Sequence, residues 1–327
     1  MLTSDYIYNS YGAVKRKDGS MRDVGTDRYT RAWSPEGEID FLTLADGTRL
    51  RYLKTGTGPA LVLLHTLRTQ LDYFQRLIPL LADRFTVYAL DFPGLGWSEI
   101  KPGACYDEPA LRRAVAEFTT ALDLKDVTLV GESIGATVAI TVSTELGDRI
   151  RQVIAVNTYD YPQGVERANL LASIVIKGMR IPVAGRLFSI LANPTILSGI
   201  MGGGFHDPKK LPKDFVLEQL RSGKRPGYAN VETQYVRALP SFIAARDIYP
   251  RITVPVTLVY GDHDWSRLQD RAAAARLIPG SHAVTLPEAG HFSALERPED
   301  IARLVIDAAT PPRNVNQLPR KAAGGAS

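Results

Sequence analysis

The sequence predicts an α/β chain: a mostly parallel, twisted sheet with helices on both faces and an inserted helical cap. Three observations predict it. Short runs that are apolar on both faces, such as "ALVLLH" and "VTLVY", alternate with helix-period segments, the pattern of buried parallel strands joined by crossover helices. From about Thr158 to Pro250 no strand pattern occurs, and so long a gap is an inserted subdomain rather than a connection. Four short motifs fall just past strand ends, where open α/β sheets place their ligand sites.

The elements follow in order. Residues 1–36 are polar and tyrosine-rich and read as an N-terminal surface arm. "IDFLTL" and "RLRYLKT" flank Asp46-Gly47, a hairpin signal. "ALVLLH" is a buried strand, followed by a helical stretch to about Ala82, and "FTVYAL" is the next strand. A helix over about 108–123 leads to a strand at 127–130, and a helix after Ser133 leads to "VIAVN" at 153–157. Beyond the cap come "VTLVY" at 256–260, a helix over about 267–277, the strand "HAVTL" and a helix near 298–309. The predicted division is an arm at 1–36, a core at 37–157 and 251–310, a cap at 158–250 and a disordered Pro/Gly/Ala-rich tail at 311–327.

Composition narrows the function. The chain has 327 residues, 45% hydrophobic and 23% charged, with a net charge of +4. It can bury a large core without staples. No basic run marks a nucleic-acid footprint. The single cysteine, Cys105, excludes an intrachain disulfide, and no Cys/His spacing suggests a metal. The start lacks the charged-then-apolar order of a signal peptide. The most apolar region is broken by Lys177, Arg180, Pro182, Arg186 and Pro194, so no integral membrane segment is expected. A cytoplasmic protein acting on a small molecule is the expectation, and no pattern specifies its oligomeric state.

The chemistry lies in the four motifs. Gly131-Glu132-Ser133-Ile134-Gly135 matches G-x-S-x-G at a strand-to-helix seam. In so tight a turn the glycines avoid clashes and expose the serine hydroxyl at a helix N-terminus, where backbone N–H groups can hold an oxyanion. Ser133 is the candidate nucleophile and Ile134 one candidate oxyanion donor. A serine needs a base with a near-neutral pKa. Among five histidines, His291 follows the last strand, beside Gly290. His282 lies in a strand, His206 in the cap, His263 beside two aspartates, and His65 at a strand end where it orders a loop. In "VYGDHDW", Asp264 is the candidate to orient the base, whereas Asp262 can cap the turn. The order Ser, Asp, His suits this architecture. In "LVLLHTLRTQLDYF", Leu67 is the candidate for the second oxyanion N–H.

The stretches "LVLLHT", "ALDFPGLGWS", "LVGESIGA", "LVYGDHDW" and "EAGHFSALERPE" together resemble the α/β-hydrolase superfamily, in its capped, esterase/epoxide-hydrolase-like branch. The resemblance covers about 38–157 and 251–309. It implies an α/β-hydrolase fold with Ser133 as nucleophile, Asp264 as acid and His291 as base, and no cofactor or metal. The "DFPGLGWS" loop should shape the pocket rather than bind a dinucleotide. Thr66 departs from the family's usual His-Gly. A β-branched residue takes φ > 0 only at a cost, so either the loop runs differently or the Thr66 hydroxyl donates.

Epoxide hydrolases and haloalkane dehalogenases of the superfamily carry Asp at the elbow and form an alkyl ester. Ser133 instead favours an acyl-enzyme and the hydrolysis of a carboxylic ester with apolar parts. Lactone, peptide or carbon–carbon bond hydrolysis and cofactor-free perhydrolysis use the same triad. A carboxylate-bearing substrate would want Arg68, Arg180 or Arg186 as a cationic anchor. A catalytically silent binding protein on the same fold is the reading from another class. Candidate lining residues are His65, Thr66, Arg68, Glu132, Tyr159, Trp265 and Phe292, with Tyr161, Phe188 and Phe205 as further aromatics. Gly202–Gly204 is a candidate cap hinge.

Overall fold

The computed structural model describes residues 37–181, 185–190 and 193–309, and the backbone of three short strands before them; side chains at 186, 188 and 190 lie outside that description. The three strands, β1 (Ile7–Tyr8), β2 (Ala13–Lys15) and β3 (Met21–Asp23), pair antiparallel. Otherwise the expected arm at 1–36 and the disordered tail at 311–327 fall outside the described residues, as does the Phe188 side chain.

The body opens with the hairpin β4 (Glu38–Thr43) and β5 (Arg49–Thr55). Gly47 takes φ 87° in its turn, a conformation cheap only for glycine. Then come β6 (Ala60–Leu64), α1 (Ile78–Leu81), β7 (Thr86–Leu90), α2 (Glu108–Ala121), β8 (Val127–Glu132), α3 (Ile134–Leu146) and β9 (Ile150–Val156). Among the described residues of the next interval no strand occurs, and its α-helices are α4 (Leu170–Arg180), α5 (Gly185–Ile190), α6 (Pro194–Gly202), α7 (Lys213–Gly223) and α8 (Tyr228–Ala244). The chain returns through β10 (Val256–Gly261), α9 (Leu268–Leu277), β11 (His282–Leu286), α10 (Ser293–Glu296) and α11 (Pro298–Ala309). The helical stretch expected up to Ala82 is shorter than its pattern. Only the 3-10 turn Leu71–Phe74 and α1 are helical there.

The eight-stranded sheet runs β11-β10-β9-β8-β6-β7-β5-β4. It is parallel from β11 to β7 and antiparallel at the β5–β4 edge. Strand alternation divides the core. Val62 and Leu64 face Val115 and Phe118 of α2 and Val138 of α3, whereas Leu61 and Leu63 face Leu81 of α1 and Ile301 and Val305 of α11.

Register positions the site. Leu64 pairs with Gly131, Glu132 with Val156, and Val156 with Val259. The carboxyl ends of β6, β8, β9 and β10 therefore finish level. The elbow is packed to the limit between them. A Cβ on Gly131 would lie 2.2 Å from the Gly135 carbonyl oxygen, and one on Gly135 would lie 2.2 Å from that of Leu64. Both contacts are with backbone, which cannot swing away. Gly135→Ala is accordingly expected to lower the unfolding free energy by about 3 kcal/mol, read as a fall in the urea midpoint. A change below about 0.5 kcal/mol would mean that α3 and β6 are not rigidly packed.

Candidate active site

Ser133 sits at the seam of β8 and α3 with φ 60° and ψ −121°, a backbone conformation that costs a non-glycine residue roughly 1–3 kcal/mol. Its neighbours hold it there. The Ser133 N–H donates to the Val156 carbonyl at 2.9 Å, and the Ser133 carbonyl accepts from Ala136 at 3.1 Å and Tyr159 at 3.2 Å. The N–H groups of Ile134 and Leu67 make no hydrogen bond among the described residues.

The three side chains singled out by sequence meet. His291 Nε2 lies 2.9 Å from Ser133 Oγ, and His291 Nδ1 lies 2.5 Å from Asp264 Oδ1. Asp264 and His291 side chains are both sealed from solvent. The Asp264 Oδ2 accepts from the Ser266 N–H at 3.0 Å and from the Ser266 hydroxyl, to which Arg271 Nε donates at 2.9 Å. Burial pushes the Asp264 carboxyl up, but the His291 charge and the bonds from His291 and Ser266 outweigh it and hold the group below its ordinary value. Trp265 stacks on the imidazole, ring centroids 3.7 Å apart, and its indole N–H donates to the Gly203 carbonyl at 3.0 Å. Asp262 does other work: its carboxylate accepts from Glu288 N–H and Ala289 N–H at 3.1 Å and ties the His291 loop to β10.

A buried amide that the sequence did not bring forward fixes the geometry further. Asn157, at φ 48°, follows β9. Its Oδ1 accepts from Gly261 N–H at 2.9 Å, and its Nδ2 donates to the carbonyls of Gly290 at 3.1 Å and His291 at 3.0 Å. It thus locks the loop carrying His291 to the loop that leads to Asp264. A non-glycine residue just past a strand end is the only local signal for it.

A cavity opens over Ser133. Thr66, Leu67 and Arg68 line it from the loop after β6, Trp265 and Phe292 from the loops after β10 and β11. The rest is apolar and comes from the segment between β9 and β10: Val175, Ile176 and Met179 of α4, Leu197, Ile200 and Met201 of α6, and Val236 of α8, with Val165. One charged pair interrupts it. Arg68 is ion-paired with Glu232 of α8, which also accepts from the Ser189 hydroxyl. Burial pulls the Arg68 guanidinium below its ordinary value.

Several expected lining residues do not reach this cavity. His65 is fully buried behind the loop. Its Nε2 accepts from the Phe92 N–H at 2.9 Å and its Nδ1–H donates to the Thr66 carbonyl at 2.8 Å. Burial drops its pKa to about 4, so the ring is neutral. Tyr159 is turned away and stacks on Tyr161. Phe205 packs on Phe292. Glu132 also points inward, because alternate residues of a strand face opposite ways. The "DFPGLGWS" loop is held from inside, with Asp91 accepting from Leu71 and Trp97 N–H groups, both at 2.7 Å; none of its residues lines the cavity. Gly202–Gly204 is no free hinge. A Cβ on Gly204 would lie 2.4 Å from the Phe292 ring, and the Gly204 carbonyl accepts from Phe292 N–H at 3.1 Å. The loop after β6 does run differently from a His-Gly turn. The positive φ falls on Arg68, at 58°, and not on Thr66.

Glu132 has a structural task. Its carboxyl accepts from the N–H groups of Ser293 at 2.6 Å and Ala294 at 3.1 Å, anchoring the start of α10 beside His291. Burial raises its pKa to about 8 from an ordinary 4.5. A carboxyl titrating near 8 when folded and near 4.5 when unfolded holds its proton more tightly in the folded protein. Its contribution to stability is therefore largest at acid pH and is lost as pH rises to about 8. Compared with Glu132→Gln, which cannot titrate, the wild type is expected to lose up to about 1.4 kcal/mol per pH unit across that window. Urea unfolding of both proteins between pH 5 and pH 8 measures the difference; parallel curves would place the Glu132 pKa outside the window.

Among the described residues no cluster of His, Cys, Asp or Glu could hold a metal ion, and no helix is long and apolar enough to cross a membrane. Residues 61–304 match the model of the Alpha/beta hydrolase family. The chain is 28% identical over 266 residues to haloalkane dehalogenase 2 of Mycobacterium tuberculosis, covering 79% of this chain and 91% of that protein. It is 28% identical over 255 residues to 2-(acetamidomethylene)succinate hydrolase of Mesorhizobium japonicum, covering 76% and 87%. The crystal structure of Cfl2 from Burkholderia cenocepacia superposes with a TM-score of 0.72 at 22% identity, covering 82% of this chain and 94% of Cfl2. With a parallel sheet, a serine at the strand-to-helix elbow and a family match across most of its length, this chain belongs to the α/β-hydrolase family and is an enzyme of that superfamily.

Proposed function

We propose that the protein is a serine hydrolase that cleaves carboxylic esters with neutral, apolar acyl groups. The observation that carries the reading is the relay from Ser133 Oγ through His291 to Asp264, at 2.9 Å and 2.5 Å. With Nδ1–H bound to Asp264, His291 Nε2 is free to accept a proton from Ser133 as its oxygen attacks the ester carbonyl. Ile134 and Leu67 N–H groups receive the oxyanion. His291 then returns the proton to the departing alcohol, and Ser133 is left acylated. Water, deprotonated by His291, attacks the acyl carbon and releases the acid. Ser133, Asp264 and His291 are the proposed catalytic residues; Thr66, Arg68, Trp265 and Phe292 are the polar and aromatic part of the proposed substrate wall.

The apolar lining and the Arg68–Glu232 pair support neutral substrates. An anionic group such as those named in the succinate hydrolase would have to take Arg68 from Glu232. A haloalkane is a poor fit for a different reason. Serine attack on a carbon–halogen bond gives an ether, which water and a histidine cannot cleave, whereas an acyl-serine is readily hydrolysed.

The test combines a fluorescent phosphonate that reacts with activated serines and p-nitrophenyl esters of rising chain length. Wild type should be labelled and should hydrolyse the esters; Ser133→Ala, with an unchanged circular dichroism spectrum, should do neither, with kcat down about 10⁶. No halide should be released from 1-bromobutane. Absence of labelling in a folded wild type would sink the reading. Labelling without ester turnover would leave the serine active but move the substrate to another acyl bond.

A further inference from the structure

Large exposed apolar side chains are scarce on the described surface, and they are not scattered. Of seven, five lie together in sequence at Leu170, Leu171, Ile174, Ile181 and Leu187, on α4 and the segment leading through α5. Leu170 is 78% exposed, Ile174 53%, Ile181 51% and Leu187 61%. Helical spacing puts residues 170, 174 and 177 in one stripe, with Ile181 just past the helix end, so Lys177 stands between apolar neighbours. No acidic residue occurs on α4, and Lys177 has no ion partner among the described residues. Arg180, at the edge, is exposed and reaches back to Glu166.

The opposite face of the same helix lines the cavity over Ser133 through Val175, Ile176 and Met179. One helix thus has the cavity on its inner side and an apolar stripe on its outer side. The stripe is rigidly presented. Asn169 caps the helix by accepting from Ala172 N–H at 2.8 Å, and its Nδ2 donates to the Gly199 carbonyl of α6 at 2.9 Å. A stripe of this kind has to be covered or used.

Charge selects the cover. Residues 158–250 hold 12 Lys and Arg against 7 Asp and Glu, whereas the whole chain holds 39 against 35. The excess positive charge of the protein therefore resides in the helical insertion, and the remainder is slightly negative. An apolar stripe with a lysine that can extend its amine past it, on a cationic segment, has the features of a helix that lies in the interface of an anionic bilayer. Each Lys or Arg near such a surface adds to the attraction.

We infer that the outer face of α4, with Leu170, Ile174, Lys177, Ile181 and neighbouring Leu187, docks on an anionic lipid surface and brings the Ser133 cavity to amphiphilic esters held there. The identification of the substrate rests on the ester reading proposed above; the docking does not. The surface supplies the apolar acyl chain at high local concentration, and α4 stands between that surface and the nucleophile.

Docking is read without turnover. Full-length protein is sedimented with sucrose-loaded vesicles of phosphatidylcholine, with and without phosphatidylglycerol, at low and high salt. Wild type and Ser133→Ala should bind anionic vesicles equally, and binding should weaken with salt. Leu170→Glu and Ile174→Glu, both at exposed positions, should lower the bound fraction at least tenfold while keeping their circular dichroism melting curves and their rate on a short soluble ester. No binding of wild type to anionic vesicles at low salt would overturn the proposal. So would variants that bind like wild type, or a wild-type dimer that the glutamate variants split, since the face would then be covered by a second copy. If vesicles bind but no ester, soluble or vesicle-borne, is hydrolysed, the docking stands and the ester reading falls.

Discussion

Asp264→Asn is expected to lower kcat on a short p-nitrophenyl ester about 10⁴-fold while leaving KM and the melting temperature nearly unchanged. The size of the loss follows from which way the new amide must face. The Asp264 Oδ2 accepts from Ser266 N–H at 3.0 Å and from the Ser266 hydroxyl. A backbone N–H can only donate, so the asparagine oxygen is held on that side. Its NH2 group is then forced toward His291 Nδ1, where Asp264 Oδ1 now accepts at 2.5 Å. An imidazole facing a donor at Nδ1 carries its own proton on Nε2, the nitrogen 2.9 Å from Ser133 Oγ. It can no longer take the serine proton. Fold and substrate wall are untouched, which is why KM should hold. Labelling by the phosphonate should slow in parallel with kcat. A variant within tenfold of wild type would mean that another group orients His291. Ser266→Ala removes only the hydroxyl and leaves the backbone N–H that fixes the amide, so adding it to Asp264→Asn should not restore the rate.

The elbow and the strand-end motifs were legible because they are local. Gly131 and Gly135 are required by backbone atoms a few residues away or on the adjoining strand β6, so the constraint is written in a five-residue pattern. In the loop after β10 it is Asp264 that meets His291, whereas Asp262, expected to cap its own turn, instead takes the N–H groups of Glu288 and Ala289, a distant pairing that no local pattern carries. What the sequence hid depends on direction and on distant partners. Glu132 adjoins the nucleophile yet points into the core, because side chains alternate along β8. His65 directly follows β6 but is spent on Phe92 N–H and the Thr66 carbonyl. Aromatic type was a poor guide to the wall: Tyr159, Tyr161 and Phe205 pack on other rings, and aliphatic side chains do most of the lining. A signal for these existed, since Ala172, Val175, Ile176 and Met179 repeat at helical spacing along α4. Both faces of that helix are apolar, however, and periodicity alone could not tell the cavity side from the outside. The Arg68–Glu232 pair joins the loop after β6 to α8, and no short-range pattern links them.

That pair gives the second large effect. Glu232→Gln is expected to lower the unfolding free energy by about 3–5 kcal/mol and to redirect the substrate preference. Glu232 is 3% exposed and Arg68 is held in the left-handed region at φ 58°, which by itself costs about 1–2 kcal/mol. With the carboxylate gone, the guanidinium stays buried in an apolar wall with no counter-charge, and its desolvation is no longer offset. Replacing both partners, as in Arg68→Met with Glu232→Leu, removes the charge along with its partner and should recover most of the loss. In Glu232→Gln the free guanidinium also becomes a site for an anion. A charge-assisted hydrogen bond contributes about 1.5–3 kcal/mol, so kcat/KM for a p-nitrophenyl hemisuccinate should rise about 10- to 100-fold relative to the butyrate. Urea unfolding and the two-ester ratio measure the two effects separately. Loss of stability without a change in ratio would make the pair a structural tie between loop and helix, and the neutral preference would then come from the aliphatic wall. A ratio already favouring the hemisuccinate in wild type would show that substrate carboxylates displace Glu232 unaided, and would turn the assignment toward an acid substrate.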